Sequence, residues 1–175
     1  MFTSRILGAL IFDAAVFEDV ESDPHATWQA AAVVVLSSLA MGFAVGGLYD
    51  SRVSTFAATS AIALVMWAAW AMLTLQIGTR LLPERETRAS FGQLLRTIGF
   101  AATPGLLQVL AVFPRMRVVI IGGTSVWMFA LMVIAVQRAL DYRHVGRAVA
   151  VCALGLVLAL GLAVIFALLL TRSAA

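Results

Sequence analysis

The sequence predicts an all-α polytopic membrane protein, five transmembrane helices preceded by a short interfacial helix. Three observations predict it. Hydrophobic residues make up 62% of the 175 and charged residues only 12%, whereas a soluble domain has about 25% charged residues. A soluble fold this apolar could not cover its own surface. The apolar residues gather in five runs, each long enough for the roughly 20 residues that cross a bilayer as a helix. The connections are short, which makes successive helices antiparallel neighbours. The alternation of barrel strands is not seen. Helix is therefore the form that satisfies the backbone in lipid.

Residues 1–25 form an N-terminal interfacial or cytoplasmic segment, and residues 26–171 form the five-helix domain. The first segment does not read as a cleaved signal peptide. Its apolar stretch, Ile6 to Phe12, is short and is followed by Asp13, Glu18, Asp19, Glu21 and Asp23 without a small-residue cleavage pattern. It reads as one short helix at the interface, weakly amphipathic because its charges are not confined to one face. Asp23-Pro24 reads as an N-cap followed by proline at the first helical position. Trp28, one turn later, suits the headgroup level.

The first span is expected from about Ala26 to Leu48 and the second from about Ser54 to Leu82, long enough to tilt or protrude. The third is expected from Phe91 to Phe113 and contains Pro104, where a kink is expected. The fourth is expected from Val118 to Leu140 and the fifth from Gly146 to Leu170. Small residues at every fourth position, Ser38, Gly42 and Gly46 in the first span and Gly155, Ala159, Ala163 and Ala167 in the fifth, predict close helix packing. That packing is either within one protomer or against a second copy or another membrane protein.

All twelve basic residues are arginine, and the net charge is +3. With a cytoplasmic N-terminus, the inner side holds Arg5, Arg80, Arg85, Arg88, Arg138, Arg143 and Arg147, with Arg96 just inside the membrane. The outer side holds Arg52, Arg115, Arg117 and Arg172. The positive-inside rule then favours the N-terminus in and the C-terminus out, in a bacterial inner membrane. No basic tail or stripe points to nucleic acid.

Arg96 is the most informative single residue. It lies five residues into its span, about 7–8 Å deep at 1.5 Å per residue. It either snorkels to the interface or belongs to a polar cluster. Gln93, Arg96, Phe100 and Thr103 share a helix face. The inner ends of spans two and four bring Gln76, Arg80, Gln137, Arg138 and Asp141 to similar depth. Asp141 is the nearest acidic candidate to pair with Arg96 or Arg138. Such a cluster would contact a lipid headgroup, a small anion or a partner loop.

Other chemistries lack their parts. No acid falls deep within a span, which argues against a coupled transporter. His25 and His144 share no motif, and there is no zinc His-Glu-x-x-His or Gly-x-Ser-x-Gly elbow. The lone Cys152 has no disulfide partner and reads as a small buried hydrophobe. No cofactor, metal or catalytic residue is expected.

Several features together resemble the bacterial branch of the Yip membrane-domain family (Ypt/Rab-interacting-protein type). They are the acidic run Phe17-Glu18-Asp19-Val20-Glu21-Ser22-Asp23-Pro24, and Gly78-Thr79-Arg80 closing span two. Gly92-Gln93-Leu94-Leu95-Arg96-Thr97-Ile98-Gly99-Phe100-Ala101 with Pro104, Trp127, and Asp141-Tyr142 complete the set. The resemblance covers nearly the whole chain and is strongest over residues 76–105. It implies a five-span helical domain with a cytoplasmic N-terminus. Eukaryotic members are trafficking factors that bind Rab-type GTPases, but their Asp-Leu-Tyr-Gly-Pro motif is not matched here, so Rab binding is not expected. The expectation is a non-enzymatic scaffold or membrane-organising factor. The alternative is a small channel or permease for a small or anionic solute, with Arg96 at the mouth of the kinked third span.

Overall fold

A computed structural model describes residues 2–46, 53–81 and 90–173, side chains at 46, 91 and 166–173 excepted. Most of the two connections expected at 49–53 and 83–90 therefore lies outside the described residues. The described chain is helical, with no strand. Five helices are long and apolar enough to cross a membrane.

The N-terminal segment departs from expectation. It is two short helices, α1 (Phe2–Leu10) and α2 (Ala14–Ser22), rather than one. The break falls at Phe12, whose φ is 62°. Asp13 then restarts the chain as an N-cap, its side chain accepting from the Ala15 N–H at 3.0 Å. All the acidic residues fall beyond α1, so its only charge is Arg5. Phe17 and Val20 of α2 are fully buried in the same core as the spans.

α3 (Ala26–Gly46) starts where the apolar run does. The expected Asp23-Pro24 cap is instead a turn. Asp23 closes α2, its carboxylate accepts from the His25 N–H at 2.9 Å, and α3 begins two residues after Pro24. Trp28 is 83% exposed at the head of α3.

α4 (Val53–Gln76) ends in a π-helical turn, Ile77–Leu81, so the long second span is continuous over Val53–Leu81. The Tyr142 hydroxyl donates to the Gly78 carbonyl in that turn at 2.9 Å. The wider ladder of a π turn leaves carbonyls needing such outside donors.

The third span is the most buried of the five. It comprises α5 (Phe91–Ala101), opened by a capping box between Ser90 and Gln93, and a ten-residue 3-10 segment, Thr103–Val112. Pro104 explains the change of ladder. It has no N–H for the Phe100 carbonyl, and its ring crowds that carbonyl. The Thr103 hydroxyl and the Ala102 N–H donate to it instead. The Ala102 carbonyl is held by the Gly105 N–H at 2.9 Å and by the Ser37 hydroxyl of α3 at 2.9 Å. The expected kink is thus a fixed transition, satisfied from a neighbouring helix.

α6 (Arg117–Ala139) and α7 (Val145–Ser173) complete the bundle. The turn between them carries Asp141 at φ 52°, a conformation aspartate tolerates better than most residues. Small residues set the closest crossings. A Cβ on Gly42 would overlap the Ser60 hydroxyl and lie 2.8 Å from the Phe56 carbonyl of α4. A Cβ on Gly155 would lie 2.6 Å from the Thr74 hydroxyl, and one on Gly99 2.7 Å from Ala30 Cβ. Trp70 stacks on Phe129 with centroids 6.2 Å apart, and its Nε1 donates to the Cys152 carbonyl at 3.1 Å. Cys152 itself is fully buried.

Candidate functional site

The polar cluster expected around Arg96 is divided in the structure. Arg96 is buried, and its hydrogen bonds go to main-chain carbonyls rather than to a carboxylate, with the Glu21 carboxylate close enough to feel its charge. Its Nε donates to the Val20 carbonyl at 3.1 Å and its Nη2 to the Glu21 carbonyl. These are among the last carbonyls of α2, which have no partner within the helix and carry its negative dipole end. Arg96 therefore caps α2 from the neighbouring span, correcting the expected pairing with Asp141. Gln93, one turn earlier, is taken up in the capping box with Ser90.

Arg138 also pairs elsewhere than expected. Its Nη1 meets Glu18 Oε1 at 3.1 Å, so α2 rather than the α6–α7 turn supplies its carboxylate. Both groups are substantially exposed, and such a pair contributes little to stability.

Gln137, Arg138 and Asp141 do come together. With Glu18, Glu21, Tyr142 and Arg143 they line an open cleft of about 450 Å³ at this end of the bundle. Gln76 and Arg80 do not join it; both lie exposed on the second span and neither lines the cleft. The cleft's ionisable lining is three carboxylates against two guanidiniums. Glu21 feels this balance. Burial, then the nearby Asp141 charge, pushes its carboxyl above the usual range.

Sequence reasoning missed Arg5. Its side chain is 9% exposed, and it donates to Asp19 at 2.8 Å, to Asp23 at 2.8 Å and to Gln29 at 3.0 Å. It ties α1, α2 and the first turn of α3 together. The Asp19 hydrogen bond raises its pKa, and Asp23 is correspondingly lowered, first by Arg5 and then by the His25 N–H. The signal available was a lone base ahead of five acids, which does not say which acids it meets.

A second space of about 400 Å³ lies among the spans. Ser37, Ser38, Thr59, Gln108 and Ser125 line it together with Trp70 and Met128. Gln108 donates to Thr124 at 3.3 Å beside it. Ser38 donates to its own helix at Val34, and Ala159 is buried against the cavity wall.

Comparison with known proteins gives one match. The family model described as the Yip1 domain matches residues 7–166. No curated protein and no solved structure matches the chain.

Proposed function

The chain belongs to the Yip1 domain family of membrane proteins, and on that premise we propose that it acts without catalysis, as a scaffold or membrane-organising factor. The observation that carries this reading is the mixed-charge cleft bounded by α2 and the α6–α7 turn. Its groups are held by hydrogen bonds and ion pairs, while Glu18, Arg138 and Asp141 stay open to solvent. Because carboxylates outnumber guanidiniums there, a partner's basic or mixed-charge segment fits better than an anionic headgroup. The arginine distribution supports a cytoplasmic cleft, in an inner membrane, with the C-terminus outside.

The test is affinity purification in native nanodiscs, wild type beside Glu18→Gln/Asp141→Asn. Asparagine keeps the backbone conformation that residue 141 requires. Loss of a co-purifying protein with insertion unchanged is the expected result. Unchanged recovery overturns the cleft as the contact site. The cavity beside Gln108 favours the second reading, a small channel or permease. That reading requires solute flux in liposomes that Gln108→Leu abolishes.

A further inference from the structure

α1 presents an apolar side that no described part of this chain covers. Leu7 is 63% exposed, Ile11 just beyond the helix 75%, and Phe12 43%. Leu7 and Ile11 are four residues apart and share a face. The opposite face, with Arg5, Gly8 and Ala9, is buried. The roll of the helix is fixed by Arg5, which is hydrogen-bonded to Asp19, Asp23 and Gln29. The outward face carries no charge at all, because the one charge of α1 points inward.

Three independent markers give the depth of this helix along the bundle. Phe2, at its start, packs edge-on against Phe100, ring centroids 6.5 Å apart. Phe100 stands nine residues into α5, about 13 Å from its start at 1.5 Å per residue. Phe12, beyond its end, stacks on Trp127, centroids 6.3 Å apart. Trp127 stands twelve residues before the end of α6, about 18 Å along that helix. Finally, α2 is nine residues long, about 13 Å, and it leads from the α1–α2 break to Asp23 at the head of α3. Allowing for side-chain reach and tilt, α1 lies across the bundle on the order of 10 Å inside the level where α3 begins.

We infer that α1 is embedded flat in one leaflet, below the headgroups, with Leu7, Ile11 and Phe12 against acyl chains. Its occupant is lipid rather than a second protein because its apolar side runs on into the lipid-facing flank of α6. Phe12 lies against Trp127, and the adjoining Val126 is 72% exposed. The depth is that of interfacial amphipathic helices, about 5–10 Å into the headgroup–acyl boundary. Unlike a freely partitioning helix, α1 is held there by the protein: Arg5 reaches from it to the acids nearer the surface, and Arg96 fixes α2 behind it. This inference is independent of what the cleft binds.

Spin labels placed singly at Leu7→Cys and Ile11→Cys, in a Cys152→Ala background in liposomes, test it by collisional accessibility. Reference labels are Glu18→Cys in the cleft and Val126→Cys on the lipid flank. All four positions point outward, so labelling leaves the packing intact. The expected result at 7 and 11 is oxygen accessibility like that at 126, with accessibility to a water-soluble nickel chelate roughly tenfold below that at 18. Nickel accessibility equal to that at 18 would mean a helix outside the membrane and overturns the inference. Low accessibility to both probes would mean a protein cover and overturns it equally.

Discussion

Arg96 shows how main-chain carbonyls help make a charge tolerable inside a span, with the Glu21 carboxylate nearby. Two main-chain carbonyls at the end of α2 accept its hydrogen bonds, and charge-assisted bonds of this kind are stronger than neutral ones. Arg96→Leu should cost about 1–3 kcal/mol, the penalty of leaving a buried acceptor unmet. Hydrogen exchange across α2 should rise while membrane insertion is unchanged; unaltered exchange would refute the capping role. Acid should act on the same region in two steps. Glu21 has a raised pKa, so its ionised form is penalised where α2 docks, and its protonation as pH falls, which begins above the usual carboxylate range, relieves that penalty. Asp23 has a lowered pKa, so its contribution is present above the usual carboxylate range and is lost only below about pH 4. A spin pair at Thr3→Cys and Val145→Cys should keep its distance from pH 7 to 5 and broaden below 4. Broadening already at pH 5 would contradict the signs. None of these partnerships was legible in the sequence. A carbonyl carries no residue-type signal, and the choice of Glu18 over Asp141 for Arg138 depends on where α2 folds back.

At the level of helices, the spans were legible and their interruptions only partly so. Apolar runs marked all five to within a few residues, because lipid imposes length and polarity directly. Pro104 marked a break, yet the ten-residue 3-10 segment after it depends on Thr103 and Ser37 supplying donors, the latter from another span. The single interfacial helix became two because Asp13, counted only as a charge, also serves as a cap. The small-residue stripe of α3 meets α4 at Gly42, and Gly155 of α7 meets Thr74 of α4, so these crossings are internal. Gly42→Leu should therefore destabilise the bundle by about 1–3 kcal/mol through overpacking. Gly122, with nothing near its Cβ position, should accept alanine with no loss and a gain of up to about 1 kcal/mol in helix propensity. Thermal unfolding in detergent separates the two, and equal effects would refute the assignment of the α3–α4 crossing.

For the whole molecule, five spans would place the N- and C-termini on opposite sides of the membrane, and the proposed orientation rests on the arginine count. Reporter fusions should read a cytoplasmic N-terminus and an external C-terminus; the reverse would move the cleft outside and end the proposed role. The charged groups thus concentrate where α2 meets the spans, while the opposite half holds hydroxyls and one glutamine around a cavity. The burial of Cys152 has a practical consequence as well. It is the chain's one cysteine, fully buried in α7. The native protein therefore carries its own clock for breathing. The rate at which a membrane-permeant alkylating reagent consumes that thiol reports how often the packing around α7 opens, with no label introduced.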